Sequence, residues 1–439
     1  MYTLNTPLHD RYVQYSHCSP SRNSFLSGRR PQTTGVYNFI DSFRQTNVKD
    51  SAGVDGLDWV AMPQWFKEHG YLSLGGGKVY HPNHPPHDDR AKSWDAESAI
   101  SGVPGYYKSN GDDGGCRENE TIYSNVCPSA EPDSAFYDNV LANDAAAQIT
   151  AAAALERPFF IGVGIRRPHR VWHAPRRFYD LYENNGTFPT NMKLAAYKTA
   201  PKGMPLLAWI DNAWPAFHYN ETVPISDEIA ALGRWGYYSA VSFTDYNVGV
   251  VLDAIDAAGI ADSTIVVLTG DHGWELGEHG EWCKRTNFEV GVRVPLMIRS
   301  PAHSASSYGK RTPHFFESVD FYRTLVGLSW GGGNSTPSTI EDGVEGDDLA
   351  SVFADVEGAL VAPKKAAAFS QMARCPQGAN IIESACNSVK RVDIEYMGYS
   401  VRVVGWRYTV WIKFNGTANR GMWDDVVEYD EENAVCCVW

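Results

Sequence analysis

Residues Leu268–Arg299 read LTGDHGWELGEHGEWCKRTNFEVGVRVPLMIR. The apolar, β-branched run Ile265–Thr269 leads into this stretch, and Pro295–Arg299 closes it. Short apolar runs bounded by turn residues predict buried strands. The first run stops at Gly270, and Asp271 and His272 follow at once. An acid and an imidazole at the carboxyl end of a strand occupy the place where open α/β sheets hold their ligands. The same arrangement recurs upstream. Tyr71–Leu74 is followed by GGGKVYHP, with Lys78 and His81, and Phe159–Ile165 is followed by His169. Between the strands lie helical patterns. Trp59–His69 is halted by Gly70, Ser134–Leu155 ends before Pro158, and Ser226–Ala258 opens on Ser-Asp-Glu and stops at Gly259. Strands alternating with helices predict an α/β fold, a mostly parallel sheet flanked by helices.

The texture changes after Gly331. Gly331–Gly346 is rich in Gly, Ser and Thr and reads as a linker. Beyond it, AAFSQMA, YMGYSVRVV and WRYTVWIKF are aromatic and β-branched, the last two broken only at Gly405. That predicts a hairpin within an antiparallel sheet. We expect a catalytic domain over 1–345 and a smaller C-terminal α+β domain, carrying an antiparallel sheet, over 346–439. The polar segment Tyr80–Asp95, rich in Pro and His, reads as a long loop beside the site.

The chain has 439 residues and a net charge of −14. That charge argues against nucleic acid, which needs a basic footprint. An anionic substrate must therefore be drawn by a local cluster of cations. No apolar run of membrane-spanning length occurs, so no membrane span is expected. Met1–Asp10 carries no apolar signal segment. Five N-x-S/T sequons, at Asn119, Asn185, Asn220, Asn334 and Asn415, suit a glycoprotein. Cys116 with Cys127, and Cys375 with Cys386, bracket short loops that disulfides would close in an oxidising compartment; reduced thiols fit the same spacing.

One further stretch, YSHCSPSRNSFLSGRRP from Tyr15 to Pro31, places Cys18 beside Ser19-Pro20-Ser21, a helix start. The helix dipole and Arg22 both favour an anion at position 18. Asp271 and His272 are placed to bind a divalent cation, and Lys284 adds positive charge. Each group has a bland counterpart: a packed cysteine, a turn-forming Asp, a surface histidine. The weight lies in four strand ends that all present Lys, His, Asp or Cys.

Together these residues resemble the type I sulfatases of the alkaline-phosphatase superfamily. Cys18-Ser19-Pro20-Ser21-Arg22 with LSGRRP is similar to the C-x-P-S-R…T-G-R signature, and GKVYHP, DHGWELGEHGEWCK and MGYS look most like the iduronate-2-sulfatase branch. The resemblance implies a sulfuric ester hydrolase acting on a sulfated sugar or polysaccharide. It implies that Cys18 is oxidised to formylglycine by a formylglycine-generating enzyme and hydrated. One hydroxyl then attacks sulfur, and the other drives sulfate release. Arg22 and Lys78 would hold the diol, and His81 would assist its deprotonation. His169 and Lys284 would bind sulfate oxygens and protonate the leaving alcohol. Asp271, His272 and position 18 would ligate Ca²⁺, and Trp274 would form a wall facing the substrate. A secreted or lysosome-like location in the secretory pathway follows from the family habit.

The family pattern also begins with a strand ending in an Asp-Asp pair. Only Met1–His17 precede Cys18, with Asp10 as the sole acid, so we expect an N-terminally truncated chain lacking that first strand and weakly active at best. Glu395 stands where the iduronate branch carries a Lys, a poor partner for a uronate carboxylate. The alternatives are a catalytically inactive truncated homologue and a phosphonate or phosphodiester hydrolase of the same superfamily.

Overall fold

The stretch Leu268–Arg299 leaves a sheet and returns to it at the same end. In the computed structural model, which describes residues 7–96, 103–108, 125–183, 192–210, 219–303, 308–330, 340–354, 365–375, 386–426 and 437–438, strand Val266–Thr269 pairs antiparallel with strand Arg293–Arg299, Thr269 opposite Leu296. No helix crosses over between them, so the second strand must run back against the first. The intervening loop stays at one end of the sheet. That is how Asp271, His272 and Lys284 arrive at one place.

The sheet continues through a strand that sequence reading did not assign, Pro7–Tyr12, to Thr312–Glu317. Pro7–Tyr12 is parallel to Thr312–Glu317 and antiparallel to Arg293–Arg299. A second sheet sets Leu72–Gly77 parallel to both Tyr106–Lys108 and Phe159–Gly164. Val126–Ser129 pairs parallel with Trp172–Pro175. The expected helices are present as Met62–Glu68, Tyr137–Ala153 and Asp227–Ala257, the last capped by Ser226, whose hydroxyl accepts the Ile229 N–H. The Tyr80–Asp95 segment is mostly irregular, with a short helix at Arg90–Ser93.

The C-terminal sheet is antiparallel throughout, in the order Ala367–Arg374, Tyr396–Val403, Trp406–Asn415, Arg420–Val426. Val403 faces Trp406 across a two-residue turn, with Gly405 at φ 81°, the left-handed conformation such turns favour. This sheet packs on the segment entering Cys18. Tyr15 and Tyr37 share a core with Met397, Trp411 and Phe414. The Ala373 N–H donates to the Tyr15 hydroxyl at 3.0 Å and the Gln371 N–H to the Gln14 carbonyl at 2.9 Å.

Cys375 and Cys386 form a disulfide. Cys127 is also disulfide-bonded, and Cys116 lies outside the described residues. Asn220 and Asn415 are exposed, while Asn119, Asn185 and Asn334 lie outside the described residues, as do positions 331–339 of the linker. Among the described residues no helix is long and apolar enough to cross a membrane.

Candidate active site

Cys18 opens the helix Cys18–Ser27, with His17 at the cap and the Ser21 N–H closing the first turn on the His17 carbonyl. The thiol is buried and free. Five side chains converge on its sulfur. Lys284 Nζ donates at 3.0 Å and Lys78 Nζ at 3.3 Å, and His272 Nε2 lies 3.1 Å away. His81 and His169 are also hydrogen-bonded to Cys18. Each of these three histidines commits Nδ1 to a following carbonyl: His81 to Pro82, His169 to Arg170, His272 to Gly273. A carbonyl accepts only from N–H, so Nδ1 carries a proton in each ring and the other ring nitrogen is left to face the sulfur.

Backbone geometry delivers these groups. Strand Leu72–Gly77 ends on Gly77 at φ 74°, and the Lys78 N–H then donates to the Gly164 carbonyl at 2.7 Å. A Cβ on Gly164 would stand 2.2 Å from the Lys78 carbonyl carbon, so only glycine lets the chain turn Lys78 inward there. Arg22, one turn along the helix, donates Nε to Asp271 Oδ2 at 2.9 Å and Nη1 to the Lys78 and Val79 carbonyls. Ser21 Oγ donates to the Asp271 carbonyl. Helix, Lys78 turn and Asp271 turn are thus stitched together.

Burial alone would push the Cys18 thiol up; Lys284, Lys78 and His272 outweigh it, with the hydrogen bond from His169, and hold it well below its ordinary range. His169 is pushed down to about 3, by burial first and then by Lys284 and Lys78. Burial opposes the Asp271 charge, but Arg22 and His272 overcome it and keep the carboxylate ionised. The centre is an anion cradle built around position 18.

Residues 6–331 match the sulfatase family profile. The chain is 31% identical to iduronate 2-sulfatase of Homo sapiens, over 92% of this chain and 78% of that one.

The chain belongs to the sulfatase family.

It is also 28% identical to a sulfatase of Formosa agariphila, over 71% of this chain and 60% of the relative. Its fold is similar to that of a phosphonate monoester hydrolase from Silicibacter pomeroyi, with a TM-score of 0.62, 16% identity, and 94% and 82% of the two chains covered. A 2-O GAG sulfatase gives a TM-score of 0.60 at 16% identity, covering 95% and 80%. Parallel sheets in the body and an antiparallel C-terminal sheet agree with the alkaline-phosphatase-like architecture. The protein is accordingly a sulfuric ester hydrolase by family.

In this sulfatase the structure brings together Cys18, Arg22, Lys78, His81, His169, Asp271, His272 and Lys284, all named from sequence. Trp274 is only 7% exposed. Its ring lies beneath Lys284 Nζ at 5.6 Å and beside His272 at 6.5 Å, so it backs these two groups.

Cys18, Asp271 and His272 form the cluster able to approach a metal ion, their donor atoms within 4.8 Å of one another. This set does not fit calcium by itself. Ca²⁺ takes roughly six to eight oxygen ligands, whereas the described residues gather one carboxylate, one imidazole and one sulfur, and the carboxylate is already bound by Arg22.

Proposed function

We propose that this sulfatase removes sulfate from a sulfated carbohydrate, in the manner of the iduronate-2-sulfatase branch, through a formylglycine made from Cys18. The observation that carries this reading is the convergence of Lys78, His81, His169, His272 and Lys284 on one sulfur atom. A structural cysteine needs no such company, and a cradle of this kind suits a negatively charged group. Formylglycine, once hydrated, supplies one hydroxyl to attack sulfur and a second to drive sulfate release.

The chain's own residues supply the rest. Arg22 and Lys78 balance negative charge at position 18. His81 offers its free ring nitrogen to take up a proton there. Lys284 and His169 bind the sulfate oxygens and hold the proton that the leaving alcohol needs. A sulfate anion raises the His169 pKa, since its charge offsets the two ammonium groups that now depress it. Among the described His, Cys, Asp and Glu residues only Cys18, Asp271 and His272 gather here, and no step uses calcium.

The Cys375–Cys386 disulfide and the exposed sequon residues Asn220 and Asn415 support passage through the secretory pathway and glycosylation there. Sequence identity to iduronate 2-sulfatase supports a sulfated uronate as substrate, while Glu395, exposed in the turn before strand Tyr396–Val403, weighs against copying that specificity whole.

The test is mass spectrometry of the peptide containing position 18, after co-expression with a formylglycine-generating enzyme, paired with turnover of an aryl sulfate. We expect conversion of Cys18 and measurable turnover, both abolished by Cys18→Ala. Unmodified cysteine throughout, with no turnover, would sink the reading.

A further inference from the structure

Arg285 follows Lys284, whose ammonium touches the nucleophile position, and it is held by its backbone on both sides. Its N–H donates to the Ser16 carbonyl at 3.1 Å, and its carbonyl accepts from Arg374 Nη2 at 3.0 Å. It adopts φ 77°, a left-handed conformation unfavourable for a long side chain. Little in the protein repays the guanidinium for this. Its Nε is buried without a hydrogen-bond partner, and no carboxylate among the described residues lies within ion-pair reach. Arg22 pairs with Asp271 and Arg374 donates to backbone carbonyls, while Arg11 shares an unpartnered Nε but donates its other nitrogens to Gly270 and Ser318. Burial lowers the Arg285 pKa, Cys283 opposes this, and Arg170, which follows His169, adds to it.

We propose that Arg285 is an anion subsite that reads a second oxyanion on the substrate, next to the sulfate being cleaved. This deepens the sulfatase reading and rests on it. The physical case is one of satisfaction. A buried guanidinium nitrogen without a partner is costly. An incoming carboxylate or sulfate supplies that partner, and the planar fork can meet either through two parallel bonds. In the proposed subsite Lys284, whose ammonium touches Cys18, meets the scissile sulfate, and Arg285, the next residue, meets a group one substituent away. The net charge of −14 excludes general attraction of anions, so a doubly anionic substrate needs these local cations. Arg285 is thus a specificity-determining residue.

The experiment compares native protein with Arg285→Ala and Arg285→Lys. kcat and KM are measured for 4-nitrophenyl sulfate, a 2-sulfated uronate glycoside and a disulfated hexosamine glycoside. Calorimetric binding of the two sugars is measured on the unconverted Cys18 protein, which needs no turnover. In Arg285→Ala, preference for a doubly anionic sugar over the aryl sulfate is expected to fall about 10- to 100-fold, mostly through KM, with a matching rise in Kd. Arg285→Lys should restore part of the loss. A larger loss on the uronate identifies a carboxylate partner, and a larger loss on the disulfated sugar identifies a sulfate. Equal losses on all three substrates, or unchanged preference and Kd, would overturn the proposal. If no sulfate ester is turned over by the native protein while sugar binding still depends on Arg285, the sulfatase reading fails and the subsite stands.

Discussion

Arg22 shows how one side chain can hold three parts of a site together. It pairs with Asp271 and also donates to the Lys78 and Val79 carbonyls, and the two charged side chains are only 11% and 16% exposed. Removing one partner of a buried pair leaves the other charge stranded, at a cost of about 3–5 kcal/mol. Arg22→Ala is therefore expected to lower the unfolding free energy by about that amount, read from urea midpoints, and to lose sulfatase turnover as Lys78 and Asp271 drift apart. A loss below about 1 kcal/mol would show that the pair is a surface contact in energetic terms. At this scale the sequence was informative because chemistry-bearing residues sit immediately after apolar runs. Lys78, His81, His169, Asp271 and His272 can each be placed at a strand end from residue order alone. Arg285 cannot. Its residue type is ordinary, and only the missing partner and the left-handed backbone mark it, both of which arise from the folded chain.

Among the elements, helix limits were legible and one strand was not. Asp227–Ala257 begins and ends within a residue of the span expected from its cap and stop signals. Pro7–Tyr12 has the sequence PLHDRY, which shows neither an apolar run nor clean alternation. It lies inside a sheet all the same, because tertiary contacts meet much of its polarity: buried Arg11 donates to the Gly270 carbonyl and to Ser318 Oγ, its Nε alone lacking a partner. Tertiary contacts also explain how strand Thr312–Glu317 is tied to its surroundings. Glu317, 1% exposed, accepts from Arg30 at 2.6 Å and Lys365 at 2.8 Å, and its second oxygen accepts the Phe369 N–H. Burial would push this carboxyl up, but Arg30 and Lys365 win and lower it to about 2. A carboxyl depressed on folding stabilises above its unfolded pKa, about 4.3, and loses that contribution as pH falls through its folded value. Asp320 beside it has the opposite sign, raised by burial to about 6, so it opposes folding as it ionises. Subtracting a variant leaves the Glu317 part together with its coupling to Asp320. The difference in unfolding free energy between native protein and Glu317→Gln should grow by about 3 kcal/mol from about pH 2 to about pH 5. A difference that stays flat across that window would mean the cluster is electrostatically neutral to folding.

For the molecule as a whole, the question is whether 1–345 and 346–439 behave as two units. Composition changes at the linker and argues for two, and the sheets do separate into a body and a C-terminal antiparallel layer. The contacts argue for one. Strand Ala367–Arg374 is hydrogen-bonded to Gln14 and Tyr15, three or four residues before the nucleophile position. Lys365 from the C-terminal part closes the ion cluster on Glu317 and Asp320 of the body. Arg374, fully buried, spans Leu207, Ala208 and Arg285. Met397, Trp411 and Phe414 share one apolar core with Tyr15 and Tyr37. Separating the two parts would therefore expose that core and strand a buried arginine, while the nucleophile segment would lose one of its two walls. Cooperative unfolding is expected when parts share a core and a buried polar network in this way. Differential scanning calorimetry should show a single transition, and tryptophan fluorescence and loss of aryl sulfate turnover should follow it at the same temperature. A second, lower transition that leaves turnover intact would show the C-terminal sheet to be an appended domain. The Arg374 and Tyr15 contacts would then be dispensable to the site they frame.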